Sequence, residues 1–151
     1  MRWAILISIV FSGCASHVVN SPEFLETYAP PKTFSASQQS CFKATTAALK
    51  TLDYKLKSEN SELGKIETER RKFSINAKII SAKQTSMAQL EQSDQLWMDV
   101  TGNDSSCTVK IMKMRLWSGV EEFEKLQSGG AEWARKNIVE SLFKEIGSEL
   151  K

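Results

Sequence analysis

The sequence predicts an α+β fold: an N-terminal helix, an antiparallel sheet of four to five strands, and a long C-terminal helix packed on one face. Three observations predict it. Apolar residues recur at helical spacing before residue 52 and again after residue 130, and the pattern between them alternates in runs separated by Gly-containing turns. The order helix, strands, helix lets both helices cover one face of a single sheet. With 151 residues, 41% of them hydrophobic and 25% charged, the chain has the material for one globular domain.

The first helix is expected over residues 36–52. Ser35 and Gln38 match a capping box, and Cys41, Phe42, Thr45, Ala48, Leu49 and Leu52 form its apolar face. Tyr54 to Ser58 and Lys65 to Arg70 alternate around the turn Asn60-Ser61-Glu62-Leu63-Gly64 and read as a hairpin. Residues 72–93 are ambiguous: Phe73, Ile75, Ala77 and Ile79 alternate, but no period follows them. Gln95 to Thr101 and Cys107 to Trp117 flank a five-residue loop and form a second hairpin. In its last strand Val109 and Ile111 lie on one face and Met112, Met114 and Leu116 on the other. That switch predicts either a bulge or a strand covered on both faces. Gly129-Gly130 breaks the chain before a helix over 131–149, whose stripe runs through Trp133, Ile138, Val139, Leu142, Phe143, Ile146 and Leu150. Glu140 and Lys144 stand opposite the stripe as an i,i+4 pair.

The N-terminus has a different character. Met1-Arg2 carries one charge, Trp3 to Phe11 is a short apolar run, and Ser12-Gly13-Cys14 follows. Such a run rises only about 14 Å as a helix, roughly half of a hydrocarbon core, so it reads as a secretory signal rather than a membrane span. Phe11-Ser12-Gly13-Cys14 resembles the bacterial lipobox, with Phe11 where leucine is usual. The resemblance implies removal of residues 1–13, diacylglycerol on the Cys14 sulfur and a further acyl chain on the new amino terminus. Ala15 after the cysteine implies passage to the outer membrane, on its periplasmic side. Ordinary signal cleavage after Ala15, with loss of Cys14, is the alternative. Two or more acyl chains hold a protein stably where one does not.

Residues 14–34 are then expected as a lipidated tether, since Pro22, Pro30 and Pro31 all fall there without sustained periodicity. Phe24, Leu25, Tyr28 and Phe34 are more apolar than a tether needs, and docking on the domain is an open alternative for them. Residues 35–151 form the domain. The helix, Leu52-Asp53-Tyr54-Lys55-Leu56, the strand Gly64-Lys65-Ile66-Glu67-Thr68 and the terminal helix resemble the helix-grip domains of small envelope lipoproteins. The C-type lipoprotein of the outer-membrane β-barrel assembly complex is an example. The resemblance implies a fold and a protein-binding role, with no functional residue carried over.

Little else in the sequence suggests chemistry. A net charge of +2 gives no reason to expect nucleic acid. One histidine, His17 in the tether, leaves neither a metal site nor a Ser-His-Asp arrangement, and no catalytic residue or cofactor is expected. Gly119 and Gly129-Gly130 lack a phosphate-binding context. Cys41 and Cys107 are exported thiols and form either a disulfide or two buried reduced cysteines. The disulfide would stabilise by about 4 kcal/mol in the chain-entropy model. Arg70, Arg71 and Lys72 offer a basic contact to lipopolysaccharide phosphate or an acidic partner, or else a strand end facing water. Glu121, Glu122 and Glu124 are the acidic counterpart. Trp97 and Trp117, with Met98, Met112 and Met114, supply either core or a partner surface.

The expectation is a lipid-anchored periplasmic protein without enzymatic activity, an adaptor in an envelope assembly or secretion complex, with the membrane and an envelope protein as partners. An adaptor should show a flat apolar patch or an open sheet edge. A binder of small apolar ligands or lipids should show a closed cavity between helix and sheet. A glycan hydrolase would need two converging acids, Glu67 and Asp99 being the first pair to inspect.

Overall fold

A computed structural model describes residues 16–80 and 85–151. Its elements run β1 (Ser16–Val18), α1 (Pro22–Tyr28), β2 (Lys32–Phe34), α2 (Gln38–Thr51), β3 (Leu56–Asn60), β4 (Lys65–Thr68), β5 (Arg71–Ile80), β6 (Thr85–Gly102), β7 (Cys107–Ser118), β8 (Glu121–Glu122), β9 (Lys125–Gln127), α3 (Ser128–Ala134) and α4 (Ser141–Glu149). A π-helical stretch, Arg135–Glu140, joins α3 to α4, so the chain ends in one long helix. The fold is α+β, as expected, with more strands than four to five. Seven form one antiparallel sheet in the order β2-β7-β6-β4-β3, with β5 also on β6 and β8 on β7, while β1 pairs with β9.

The N-terminal segment corrects the tether expectation. Pro22 opens α1 from its first turn, where its missing N–H costs nothing, and the Ser21 hydroxyl accepts from the Phe24 N–H at 3.1 Å. Proline here starts a helix instead of marking a linker. Phe24 is buried in the common core, with Leu25, Tyr28 and Phe34 packed against it, and β1 and β2 pair with β9 and β7. His17 is likewise packed, its Nε2 lying 3.3 Å from the Tyr28 hydroxyl. Asn20, in the left-handed region at φ 73°, accepts at Oδ1 from the Met114 N–H at 2.6 Å and so covers part of the free edge of β7.

Helix α2 begins two residues later than the expected box. Ser37, not Ser35, is the cap, accepting from the Ser40 N–H at 3.2 Å, and the Gln38 side chain instead donates to the Val100 carbonyl. The β3–β4 turn needs Gly64: at φ 65° its backbone passes so close to Val100 that a Cβ would stand 2.0 Å from that carbonyl oxygen.

The ambiguous stretch is a β-ribbon. β5 pairs with β6 from Arg71↔Asp94 to Ile80↔Thr85, whereas β7 reaches along β6 only to Gln92↔Ser118. Beyond that level the two strands run on with no third strand beside them among the described residues. On β7 the bulge reading holds: Trp97 opposes Lys113 and Met98 opposes Ile111, leaving Met112 as the extra residue. The bulge returns Met114 and Leu116 to the face that carries Cys107, Val109 and Ile111, so all five are buried together while Met112 is 43% exposed. These side chains meet Leu49 of α2 and Leu142 and Ile146 of α4 in one core.

Two expectations about the terminal helix are corrected. Gly129 and Gly130 lie inside α3 rather than before it. Glu140 pairs with Arg135, not Lys144, because residues five apart meet where the helix is π-wound.

Candidate functional site

Around the base of the ribbon the structure gathers the basic triplet Arg70, Arg71 and Lys72 with Trp117. Asp94 on β6 is fully buried, and Arg71, directly across on β5, grips it with both nitrogens, Nε to Oδ1 at 3.0 Å and Nη2 to Oδ2 at 2.7 Å. The Tyr54 hydroxyl donates to the same Oδ2 at 2.6 Å, and Arg71 Nη1 donates to the Leu52 carbonyl just beyond α2. The Arg71 guanidinium also lies 3.9 Å from the centre of the Tyr54 ring. A buried carboxylate is tolerated only with such partners. Burial, and next the negative charge of Asp94, raise the Tyr54 phenol well above its ordinary range, so it stays protonated and donates. Burial alone would lower the Arg71 guanidinium, but its bond to Asp94 and the charges nearby raise it.

Arg70 is also engaged internally. Its Nε donates to Ser93 Oγ at 2.7 Å, its Nη2 to the Gly119 carbonyl, and it stacks 4.4 Å from the centre of the Trp117 ring. Arg115 lies over that ring too, at 4.9 Å, and pairs with Glu122, whose carboxyl is held below its usual range by the hydrogen bond. Trp117 is therefore buried. Arg70 is nonetheless exposed, as is Lys72, which lies beside Glu91 at 3.2 Å. Two arginines of the triplet thus make contacts within the fold, while Arg70 and Lys72 also face water.

Trp97 lies elsewhere, half-buried on the other face of β6 with the Lys113 ammonium 4.9 Å from its ring centre. It shares an open groove with Met112, Glu67 and Asp99. Those two acids each hold a lysine, Glu67 to Lys57 at 2.8 Å and Asp99 to Lys65 at 2.5 Å. That arrangement is a charge-balanced surface with no free acid pair.

Two clefts were not legible in the sequence, because each is lined partly by residues whose packing only the fold reveals. A cleft of about 330 Å³ lies between the α1–β2 segment and the terminal helix, lined by Tyr28, Pro31, Lys32, Arg135, Phe143 and Lys144 among others. A smaller apolar cleft of about 170 Å³ lies between the ribbon base and α3. Phe73, Ile75, Leu116, Phe123, Leu126 and Trp133 line it, and the Phe73 and Trp133 rings stack with centroids 5.7 Å apart. Both clefts open to solvent.

Cys41 on α2 and Cys107 on β7 face each other at disulfide-bonding distance, with Cα atoms 6.3 Å apart. Cys14 and the signal segment lie outside the described residues. No helix among the described residues is long and apolar enough to cross a membrane, and none of their His, Cys, Asp and Glu side chains cluster in threes to hold a metal.

No family model matches this chain. Nor does any curated protein. Among solved structures, a DUF4468 family protein from Bacteroides ovatus is similar at 17% identity and a TM-score of 0.47, over 80% of this chain and 84% of that one. A likeness at that level carries no functional assignment.

Proposed function

We propose that this protein is a lipid-anchored adaptor of the bacterial envelope, tethered through Cys14 on the periplasmic side of the outer membrane, without catalytic activity of its own. One observation carries the reading. The β5–β6 ribbon runs past the rest of the sheet with the outer edge of β5 unpaired among the described residues, and Met87 and Leu90 are exposed on it. An open strand edge is a ready template for a strand of another protein. The clefts, by contrast, are open and modest in size, where a dedicated ligand binder would enclose its cargo.

The test removes the ribbon alone. Phe73 and Gln92 are paired directly across the two strands, so replacing residues 74–91 by Asn-Gly closes a two-residue hairpin at the ribbon base. Full-length protein, the ribbon-less variant and Cys14→Ser are expressed in a Gram-negative host, and the detergent-solubilised membranes are subjected to pull-down and mass spectrometry. A specific envelope protein recovered with wild type and lost without the ribbon supports the adaptor reading. Equal recovery from the ribbon-less variant refutes it. An acylated wild type recovered alone turns the reading to a binder of small apolar ligands, for which the cleft under Trp133 is the place to look. Intact mass without added acyl groups removes the lipid anchor.

A further inference from the structure

We infer that the end of the domain carrying the ribbon base is its membrane-facing surface, seated at headgroup depth on the lipid bilayer. The inference rests on acylation of Cys14, and adds where the domain sits once the anchor is in place. Ser16 is paired opposite Gln127, the last residue of β9. Two more residues of chain reach at most about 7 Å, so the Cys14 sulfur is confined to the neighbourhood of the β9–α3 junction. Residues 16–34 are folded against the core, so no slack lies between anchor and domain. A domain held this closely cannot stand nanometres from the bilayer. Whatever surrounds the β9–α3 junction must meet the lipid surface.

What surrounds it is apolar and open. Leu126 and Trp133, one on each side of that junction, line the 170 Å³ cleft together with Phe73, Ile75 and Phe123, and Gln92 and Ser93 add polar groups to it. Beside the ribbon base the β7–β8 turn is held by a hydrogen bond from the Gly119 N–H to the Glu91 carbonyl at 3.0 Å, and it presents Val120, 94% exposed. Leu90, 37% exposed, is next to Glu91 on the ribbon. Half-buried aromatics and exposed aliphatics gathered around a lipid attachment point suit the boundary between headgroups and acyl chains, where they lower their free energy. Exposed Glu121 and Glu124 on the same stretch oppose deeper entry and set a shallow seat. The occupant of this surface is therefore the bilayer. The unpaired edge of β5 stays free for a protein strand.

The experiment places one reporter at each end of the sheet. Val120→Cys marks the proposed face. Leu63→Cys, in the β3–β4 turn beside Val100, lies about nine residues and about 30 Å away along β6. Both positions are exposed turns, so labelling leaves the fold intact. Each variant, acylated in a Gram-negative host and confirmed by intact mass, carries an NBD fluorophore on the new thiol. It is then reconstituted into phosphatidylethanolamine–phosphatidylglycerol vesicles containing doxyl-labelled lipid. The expected result is a blue shift and severalfold stronger quenching at 120 than at 63. Equal quenching at both sites, or stronger quenching at 63, overturns the membrane-facing assignment while leaving the anchor standing. A mass without acyl groups overturns the anchor and this assignment with it.

Discussion

Helix α2 is fastened to the sheet at both ends, by opposite chemistries. Near its N-terminus Cys41 meets Cys107 of β7, a contact suited to a covalent link. Just beyond its C-terminus the Leu52 carbonyl and the Tyr54 hydroxyl join Arg71 and Asp94 in a buried polar cluster. The covalent end is indifferent to charge and responds to reductant. The polar end is indifferent to reductant and responds to charge and pH. The polar cluster also sits where the ribbon leaves the body, so its loss is expected to loosen the ribbon, whereas loss of the thiol pair is expected to loosen the far end of the sheet.

The most severe test of this contrast is Arg71→Leu, which leaves Asp94 buried with one hydrogen-bond partner fewer and no counter-charge. Breaking a buried pair in this way costs about 3–5 kcal/mol. Denaturant unfolding should report that loss, with amide exchange quickening first at the ribbon base. An effect below about 1 kcal/mol, in the range of exposed pairs, would mean the cluster is solvated.

Next comes removal of the covalent tie. Reduction, or Cys41→Ala with Cys107→Ala, should lower stability by roughly 2–4 kcal/mol. The oxidised protein should weigh two hydrogens less than the reduced one. Exchange should quicken along α2 and β7 while the ribbon base stays protected. Ribbon and disulfide end loosening together would show that the two ends are not independent.

Tyr54→Phe is the intermediate case, leaving Asp94 with Arg71 alone and costing about 1–3 kcal/mol. It also carries a pH signature. The folded phenol keeps its proton where the unfolded chain has begun to lose it, so its contribution is whole below the ordinary value of about 10.0 and is lost as pH rises through the raised folded value. Wild-type stability should therefore fall above about pH 10, and the variant should show a shallower fall. Identical alkaline profiles for the two proteins would exclude Tyr54 as the titrating group. Ser37→Ala should have the smallest effect, about 1 kcal/mol from a lost cap, with its thermal shift unaltered by reductant or alkali.

The contrast also marks what the sequence could disclose. Cys41 and Cys107 were legible as a pair because the export expected from the N-terminus and an apolar helix face narrow their fates to two. The bulge near Ile111 was legible because the apolar set changes sides between Ile111 and Met112. Asp94 was not legible: nothing local distinguishes a carboxylate that ends in the core from one in water, and its partners come from residues 54 and 71. Arg71 read as surface charge for the same reason. The N-terminal segment was misread because Pro22 is a linker signal by composition and a helix-start signal by position, and only Ser21 before it and Phe24 after it decide between them. The ribbon has weak periodicity because, among the described residues, no third strand or helix beyond its base demands it.

The π-wound stretch Arg135–Glu140 makes the last helix two helices out of phase. Regular winding turns about 100° per residue, so residues 131, 134 and 135 would keep a fixed bearing relative to 142 and 146. Five-residue spacing in the middle shifts that bearing, and this lets Ala131 and Ala134 reach the core together with Leu142 and Ile146 while Arg135 turns out to its glutamates. The stretch thus behaves as an inserted residue absorbed within the helix. Deleting one residue between 136 and 140 should therefore give regular winding and leave α3, Trp133 included, in place over Phe73, whereas regular winding at the present length would turn Arg135 toward the core and Ala134 away from it. At its present length a regularly wound helix would fit this sheet less well.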